Sequence, residues 1–270
     1  MKKVFERSYN DTMQNVIRTA EKVASSELSV MIIGEHGTGK EWLARAIHRM
    51  SARANDTFYP VDCAALPANE LEQELFGTES LLHNGISIQR GAFEEAGGGT
   101  LFLNEVGSLP TSLQMKISRA LEYKVIHRIG DDRSISLNTR VIASLSENAE
   151  KLISDGTLQK DMFYRISPII IEIPSLRERR EDIPLLIEKF LLESQDQNRE
   201  IVLGITPEAL HYCLEYHWPG NVRQLKNAIE YAGIMCSSQW IQPDDLPNYL
   251  HNNHAAKPLT SKVVLGRGKS

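Results

Sequence analysis

The sequence predicts an α/β protein in which a parallel sheet is covered by helices and is followed by a small all-helical domain. Short apolar runs alternate with amphipathic segments as far as Pro174, and only helical patterns follow. A glycine-rich loop between the first predicted strand and the next helix places a ligand at the carboxyl ends of the strands. We expect an α/β domain at 1–175, a helical domain at 176–250 and a disordered tail at 251–270.

Apolar periodicity predicts each element in order. Residues at helical spacing from Asp11 to Glu27 precede the apolar run LSVMIIG, so a helix leads into a buried strand. Further strands are predicted at TFYPVDC, GGGTLFLNEV, TRVIASL and SPIIIEI, and the intervening helices at EWLARAIHRM, ANELEQELFG and TSLQMKISRALEY. The second domain is predicted to contain DIPLLIEKFLLESQ, TPEALHYCLEY and NVRQLKNAIEYAGIM as helices.

Composition argues against several classes of protein. A net charge of -5 gives no overall attraction to nucleic acid or to an anionic membrane. No apolar run approaches the roughly 18 residues of a membrane span, and the first residues lack a signal-peptide core. Cys63, Cys213 and Cys236 have neither metal nor disulfide spacing, and we expect small buried side chains in a reduced setting. A cytoplasmic protein is the expectation.

The segment GEHGTGKE, residues 34–41, has the context of a phosphate-binding loop. Its glycines let backbone N–H groups surround a β-phosphate, Lys40 reaches the β- and γ-oxygens, and the helix N-terminus adds its dipole. The general pattern places Ser or Thr after the lysine to bind Mg²⁺, but here Glu41 follows and Thr38 is the nearest hydroxyl. The alternative is a structural glycine-rich turn. The residues expected to bind the nucleotide are Gly34, Gly37, Thr38, Gly39, Lys40 and Glu41.

A second polar element ends the strand in GGGTLFLNEVG. Such a strand normally ends in Asp-Glu, where the aspartate binds Mg²⁺ through water and the glutamate polarises the attacking water. Here the pair is Asn104 and Glu105, so the candidate base is kept and the carboxylate on the metal side is an amide. We expect Mg²⁺ to bind less tightly.

With these motifs, the chain resembles the central AAA+ domain of bacterial enhancer-binding proteins, the activators of sigma-54 RNA polymerase. The resemblance runs from about Ser8 to Leu250 and includes the specific segments DCAALPANELEQELFG, GGGTLFLNEVGSLP, LRERREDIPLL and WPGNVRQLKN. In that family a glutamate follows the loop lysine, as Glu41 does. The resemblance implies a P-loop AAA+ fold, ATP and Mg²⁺ as ligands, and a ring, usually a hexamer, with ATP between neighbours.

The resemblance also assigns two arginines. Arg223 matches the lid arginine that senses the γ-phosphate; the alternative is an arginine that holds the helix start near Trp218. The segment GTLQKDMFYRI resembles the one that offers two arginines to the neighbour's nucleotide, where they stabilise transition-state charge. Gln159 replaces the first of them and Arg165 keeps the second.

The loop that contacts sigma-54 in this family differs here. The six positions of the family hexapeptide GAFTGA are occupied by Leu81, Leu82, His83, Asn84, Gly85 and Ile86. Only the second glycine is retained. The loop either contacts a different partner through the imidazole and the leucines, or has lost its partner.

Other family positions have also changed. Leu145 and Ser146 replace the polar pair of the strand that senses hydrolysis, and Asp62 stands where the family has an asparagine. Asp62 and Asn104 are therefore either an exchange of carboxylate and amide between neighbouring strand ends, with Asp62 sharing the Mg²⁺ water shell, or two unrelated changes. The exchange predicts that Asp62→Asn abolishes Mg-ATP binding.

Three functions are compatible with these residues. The first is an ATPase that remodels sigma-54 RNA polymerase. The second is a nucleotide-gated scaffold or regulatory subunit, which assembles with itself or with a complete paralogue. The third, a DNA-binding regulator, is weak because the residues after Leu250 cannot supply a helix-turn-helix. We expect ATP binding with weak hydrolysis in a transcription regulator of the sigma-54-interaction family, without a DNA-binding domain or membrane contact in this chain.

Overall fold

The computed structural model describes residues 8–82, 85–146, 148–194 and 202–253. The chain divides into two compact units. The larger comprises Val16–Glu35 and Lys40–Ile173. The smaller comprises the described residues of Met1–Asn15, His36–Gly39 and Pro174–Ser270. The main boundary thus falls after Ile173. The middle of the glycine-rich loop, His36–Gly39, belongs to the smaller unit, and this was not predicted from the sequence.

The predicted strands and helices up to Ile173 are all present, together with further short elements that were not predicted. The strands are β1 Val30–Ile33, β2 Phe58–Asp62, β3 Thr78–Leu82, β4 Gly85–Gln89, β5 Thr100–Asn104, β6 Val125–Ile126, β7 Ile135–Ser136, β8 Arg140–Leu145 and β9 Ile169–Glu172. The helices are α1 Asp11–Ala24, α2 Lys40–Met50, α3 Ala68–Phe76, α4 Ala92–Glu95, α5 Thr111–Tyr123, α6 Ala149–Ser154 and α7 Lys160–Ile166. A 3₁₀ turn at Val106–Ser108 follows β5.

The central sheet has five parallel strands in the order β2-β5-β8-β1-β9. Every residue of β8 is buried, and so are the first four of β5. Helices on both faces of a parallel sheet bury both sides of each strand, which is why these segments are mainly apolar. The sheet therefore confirms the predicted fold class, and polar residues, Asp62 and Asn104, end β2 and β5 at its carboxyl edge.

A hairpin of two strands, β3 and β4, lies between α3 and α4. Helix α3 ends at Gly77, whose φ of 77° suits a residue without a Cβ. β3 and β4 then pair antiparallel, with Thr78 opposite Gln89 and Leu82 opposite Gly85. The sequence analysis predicted a surface loop here. His83 and Asn84 lie outside the described residues, and so do the side chains of Leu81, Leu82, Gly85 and Ile86.

The smaller unit is mainly helical. Its helices are α8 Ile183–Ser194, α9 Pro207–Glu215 and α10 Asn221–Met235, with 3₁₀ turns at Leu176–Glu178, Arg180–Asp182, Pro243–Asp245 and Asn248–Asn253. Two short strands, β10 Gly204–Ile205 and β11 Trp240–Ile241, pair in parallel and were not predicted. Trp218 is completely buried in the core of this unit, and its Nε1–H donates to Cys213 O at 2.7 Å. Trp218 therefore packs within the helical domain.

The tail expected at 251–270 falls mostly outside the described residues. His251 still belongs to the 3₁₀ turn that begins at Asn248. In the described part of the chain, no helix combines the length and the apolar character needed to cross a bilayer.

Candidate functional site

A cluster of polar side chains lies at the carboxyl edge of the sheet in the larger unit. Lys40 is the first residue of α2 and only 6% exposed. Its Nζ lies 2.9 Å from Gly34 O and 2.9 Å from Glu105 Oε1, and it also contacts Ser146 Oγ. Ser146 Oγ donates in turn to Glu105 Oε1 at 2.5 Å. The structure thus brings the loop lysine, the candidate base and the changed sensor residue into contact.

The backbone of Glu105 is strained. Its φ of 59° and ψ of 55° are left-handed, a conformation that costs about 1–3 kcal/mol in a residue other than glycine. The Glu105 N–H donates to Ser144 Oγ at 3.1 Å, and Ser144 is fully buried. Because such strain persists only where surrounding contacts maintain it, this bond helps to direct the Glu105 carboxylate toward Lys40.

Ser144 also determines how the Asn104 amide is turned. Its Oγ lies 2.7 Å from Asn104 Oδ1. Ser144 Oγ accepts the Glu105 N–H and donates its single hydrogen to Asn104 Oδ1. The amide oxygen of Asn104 is therefore turned toward Ser144. Sequence analysis missed Ser144, which is a lone hydroxyl inside an apolar strand.

Asp62 and Asn104 lie opposite each other at the ends of β2 and β5, as the exchange hypothesis requires. The Asp62 side chain is exposed, and its Oδ1 accepts the Ala64 N–H at 3.0 Å. Cys63 is buried, and burial, followed by the Asp62 and Glu105 carboxylates, raises the pKa of its thiol far above the usual range. Cys63 is therefore a neutral buried side chain, as predicted, and so is Cys213, whereas Cys236 is partly exposed.

These oxygens fit a tightly bound Mg²⁺ poorly. Mg²⁺ favours carboxylate oxygens and water in near-octahedral geometry. Here the Asn104 oxygen accepts the Ser144 hydroxyl, and Glu105 Oε1 is neutralised by Lys40. Glu41 is exposed and paired with Arg45 at 2.7 Å. Among the described residues, no group of three or more His, Cys, Asp or Glu side chains could bind a metal ion.

The middle of the glycine-rich loop is supported within the smaller unit. Gly37 and Gly39 have φ of 79° and 106°, which favour glycine. Asn221 Nδ2 donates to His36 O at 2.9 Å, and the Arg223 N–H donates to Gly37 O at 3.3 Å. A Cβ on Gly37 would lie 2.3 Å from Gly220 O, so the close approach of these two backbone segments requires glycine at position 37.

Two residues at or next to this segment, Thr38 and Asn221, are buried. Thr38 is only 1% exposed, and its carbonyl accepts Arg179 Nη2 at 2.9 Å. Asn221 is fully buried, and its Oδ1 accepts the Leu176 N–H at 2.8 Å. Asn221, which was not identified from the sequence, is the first residue of α10. Its side chain joins this helix start to His36 of the loop and to Leu176. The Arg223 side chain is exposed, which leaves its γ-phosphate role as a prediction.

The other predicted arginine lies on α7. Arg165 Nε donates to Ser118 Oγ at 3.2 Å, and Arg165 Nη2 lies 3.3 Å from Glu122 Oε2 on α5. Its side chain is about one-third exposed, at 35%. Gln159 precedes α7, and its N–H donates to Gln114 Oε1 at 2.7 Å. A role of Arg165 toward a neighbouring subunit remains a prediction.

The parallel sheet, the glycine-rich loop before α2 and the Lys40–Glu105 pair define an AAA+ type of α/β fold with a helical lid. Residues 7–172 match the sigma-54 interaction domain family and residues 177–262 match an AAA+ ATPase lid domain. The chain belongs to the sigma-54 interaction family.

Relatives agree with this assignment. The chain is 42% identical over 236 residues to the transcriptional regulatory protein ZraR of Salmonella typhimurium, covering 87% of this chain and 54% of ZraR. It is also 42% identical to the regulatory protein AtoC of Escherichia coli, covering 87% and 51%. A crystal structure of NtrX from Brucella abortus in complex with ATP superposes with a TM-score of 0.82 at 36% identity, covering 91% of this chain and 57% of NtrX. The chain spans about half the length of the curated relatives it matches.

Proposed function

We propose that this chain binds ATP or ADP at the loop of residues 34–41 and hydrolyses ATP weakly in a transcription regulator. The observation that carries the proposal is the contact of Lys40 with Glu105 and Ser146 at the carboxyl edge of the sheet. A buried ammonium beside loop carbonyls suits the β- and γ-phosphates of a nucleotide. NtrX, with the same fold, was crystallised with ATP.

Several of the predicted site residues have a part in this proposal. The glycines and Thr38 supply backbone N–H groups, Lys40 binds phosphate oxygens, and Glu105 polarises the attacking water. In hydrolysis the water oxygen bonds to the γ-phosphorus, the bond to the β–γ bridging oxygen breaks, and Glu105 accepts the proton. Glu105 can accept it only after Lys40 has moved from the carboxylate to phosphate.

Two further residues complete the proposed site. Arg223 would sense the γ-phosphate from the start of α10, because its backbone already contacts Gly37. Arg165 would reach the nucleotide of a neighbouring subunit after releasing Glu122. We propose a ring, of the size of a hexamer, formed with itself or with a complete paralogue, and sigma-54 RNA polymerase as a possible target. Transcription regulators work in the cytoplasm, where we place the protein.

A second function, a nucleotide-gated scaffold that hydrolyses no ATP, is favoured by a specific observation. The Glu105 carboxylate is held by Lys40 and Ser146, and the neighbouring Asn104 provides no charge for a metal. Under this alternative the bound nucleotide controls assembly and no phosphate is released.

The test is steady-state ATP turnover of the purified chain over a range of protein concentrations. Lys40→Ala and Glu105→Gln are the controls. Weak turnover that rises cooperatively with concentration and disappears in both variants supports the ring ATPase. ATP binding that depends on Lys40, without turnover, supports the scaffold. Nucleotide binding that survives Lys40→Ala contradicts both.

A further inference from the structure

The hydroxyl of Ser144 joins the two residues at the end of β5 that carry the chemistry in this family. It accepts the Glu105 N–H at 3.1 Å and donates to Asn104 Oδ1 at 2.7 Å. We propose that nucleotide binding at this site does not depend on Mg²⁺, because Ser144 locks Asn104 into the protein's own hydrogen-bond network. This inference rests on the proposed nucleotide binding at Lys40.

The Asn104 amide presents a hydrogen-bond donor to the site. Its oxygen is turned toward Ser144, so its other polar group is an NH₂, which is a donor only. A donor attracts phosphate oxygens and contributes nothing to binding a cation. The position at which the family has a metal-side carboxylate thus presents the opposite polarity in this chain.

The charge at this edge of the sheet comes from Lys40 and Glu105. Mg²⁺ bridges phosphates to a carboxylate in sites of this class. The Lys40 ammonium and the Glu105 carboxylate, 2.9 Å apart, neutralise each other, with side-chain exposures of only 6% and 15%. When a nucleotide draws Lys40 onto its phosphates, that ammonium neutralises part of the phosphate charge directly.

Asp62 is the competing explanation. It lies opposite Asn104 and could replace the missing carboxylate. Against this, Asp62 is exposed and its Oδ1 already accepts the Ala64 N–H, so its carboxylate is used to shape the turn after β2. The two explanations differ in what they predict for Asp62→Asn: loss of Mg-ATP binding if the carboxylate was exchanged, and unchanged affinity if Ser144 has taken Asn104 out of metal binding.

The experiment measures the affinity of the chain for a fluorescent ADP analogue and, by competition, for ATP. Each titration is run in millimolar Mg²⁺ and in excess EDTA. The variants are Asn104→Asp, which restores the family carboxylate, and Asp62→Asn. Asn138→Asp is the matched control, because it makes the same amide-to-carboxylate change away from the site. Asn138 precedes the first residue of β8, Arg140, and lies beside Arg53.

We expect the wild-type dissociation constants in Mg²⁺ and in EDTA to agree within about threefold. The dissociation constants of Asp62→Asn should match those of the wild type in both buffers. Asn104→Asp should bind at least about tenfold more tightly with Mg²⁺ than without it, and Asn138→Asp should match the wild type. A wild-type affinity that falls about tenfold in EDTA overturns the inference and leaves the proposed function standing. Absence of binding in both buffers, with the circular dichroism of a folded chain, overturns the proposed function itself.

Discussion

Removing the Ser144 hydroxyl should both destabilise the larger unit and release Glu105 from its left-handed conformation. Ser144 is fully buried at the carboxyl end of β8 and contacts the two residues at the end of β5. Ser144→Ala keeps the β-strand and removes only one oxygen. The change therefore isolates the hydroxyl.

The magnitude follows from the two bonds that are lost. A hydrogen bond contributes about 0.5–1.5 kcal/mol net, and a buried group left without a partner costs about 1–3 kcal/mol. Because Asn104 and Glu105 are only half-buried, we expect the loss of the two bonds together to cost about 1–3 kcal/mol. In a chain of this size that corresponds to a fall in Tm of roughly 2–10 °C. The strained Glu105 backbone then loses one of the contacts that maintain it.

Two assays measure this effect. Thermal unfolding followed by circular dichroism gives the stability, and hydrogen exchange of the peptide that contains Glu105 gives the local opening. The matched control is Ser154→Ala, which removes an exposed hydroxyl that donates to Lys151 O at 2.8 Å, and should change stability by less than about 0.5 kcal/mol. If Ser144→Ala behaves like Ser154→Ala in both assays, the assigned role of Ser144 is wrong.

Three further predictions concern other parts of the chain. Lys40→Ala should weaken ADP binding at least about tenfold in calorimetry, whereas exposed Lys151→Ala should not. Trp218→Ala should cost about 3–5 kcal/mol in urea unfolding, because it empties a fully buried site; Trp218→Phe should cost less, and equal losses would contradict the packing role. Burial lowers the pKa of His48, which contacts Thr100 at 2.9 Å. The unfolded chain therefore binds a proton first as pH falls below about 6.5, so stability should fall there. His48→Gln should remove part of that loss, and an unaltered pH profile would exclude the assignment.

Much of the fold could be predicted because parallel strands buried on both faces leave a strong signal. β1, β5 and β8 are short, mainly apolar and buried, and the helices between them show the 3.6-residue period. The hairpin of β3 and β4 was missed because its alternation is short, Ile86, Ser87 and Ile88. The two-residue strands β10 and β11 leave no periodic signal at all.

The candidate site was predictable only in part. Lys40 and Glu105, to which the proposal assigns phosphate binding and water activation, stand in motifs that the sequence displays. Ser144 and Asn221 act by connecting segments that are distant in sequence, so their roles depend on strand pairing and loop packing. The asparagine that follows Trp-Pro-Gly is a sequence signal that could have identified Asn221. Asparagine tolerates the left-handed backbone that this residue adopts, with a φ of 51°.

The measurement that tests the account most directly is the ATP turnover of Asn104→Asp compared with the wild type, both at saturating Mg-ATP and equal protein concentration. If the amide at Asn104 is what weakens hydrolysis, restoring the carboxylate should raise turnover at least about tenfold, and Glu105→Gln added to it should abolish the gain. A wild-type rate that Asn104→Asp does not exceed would contradict the account.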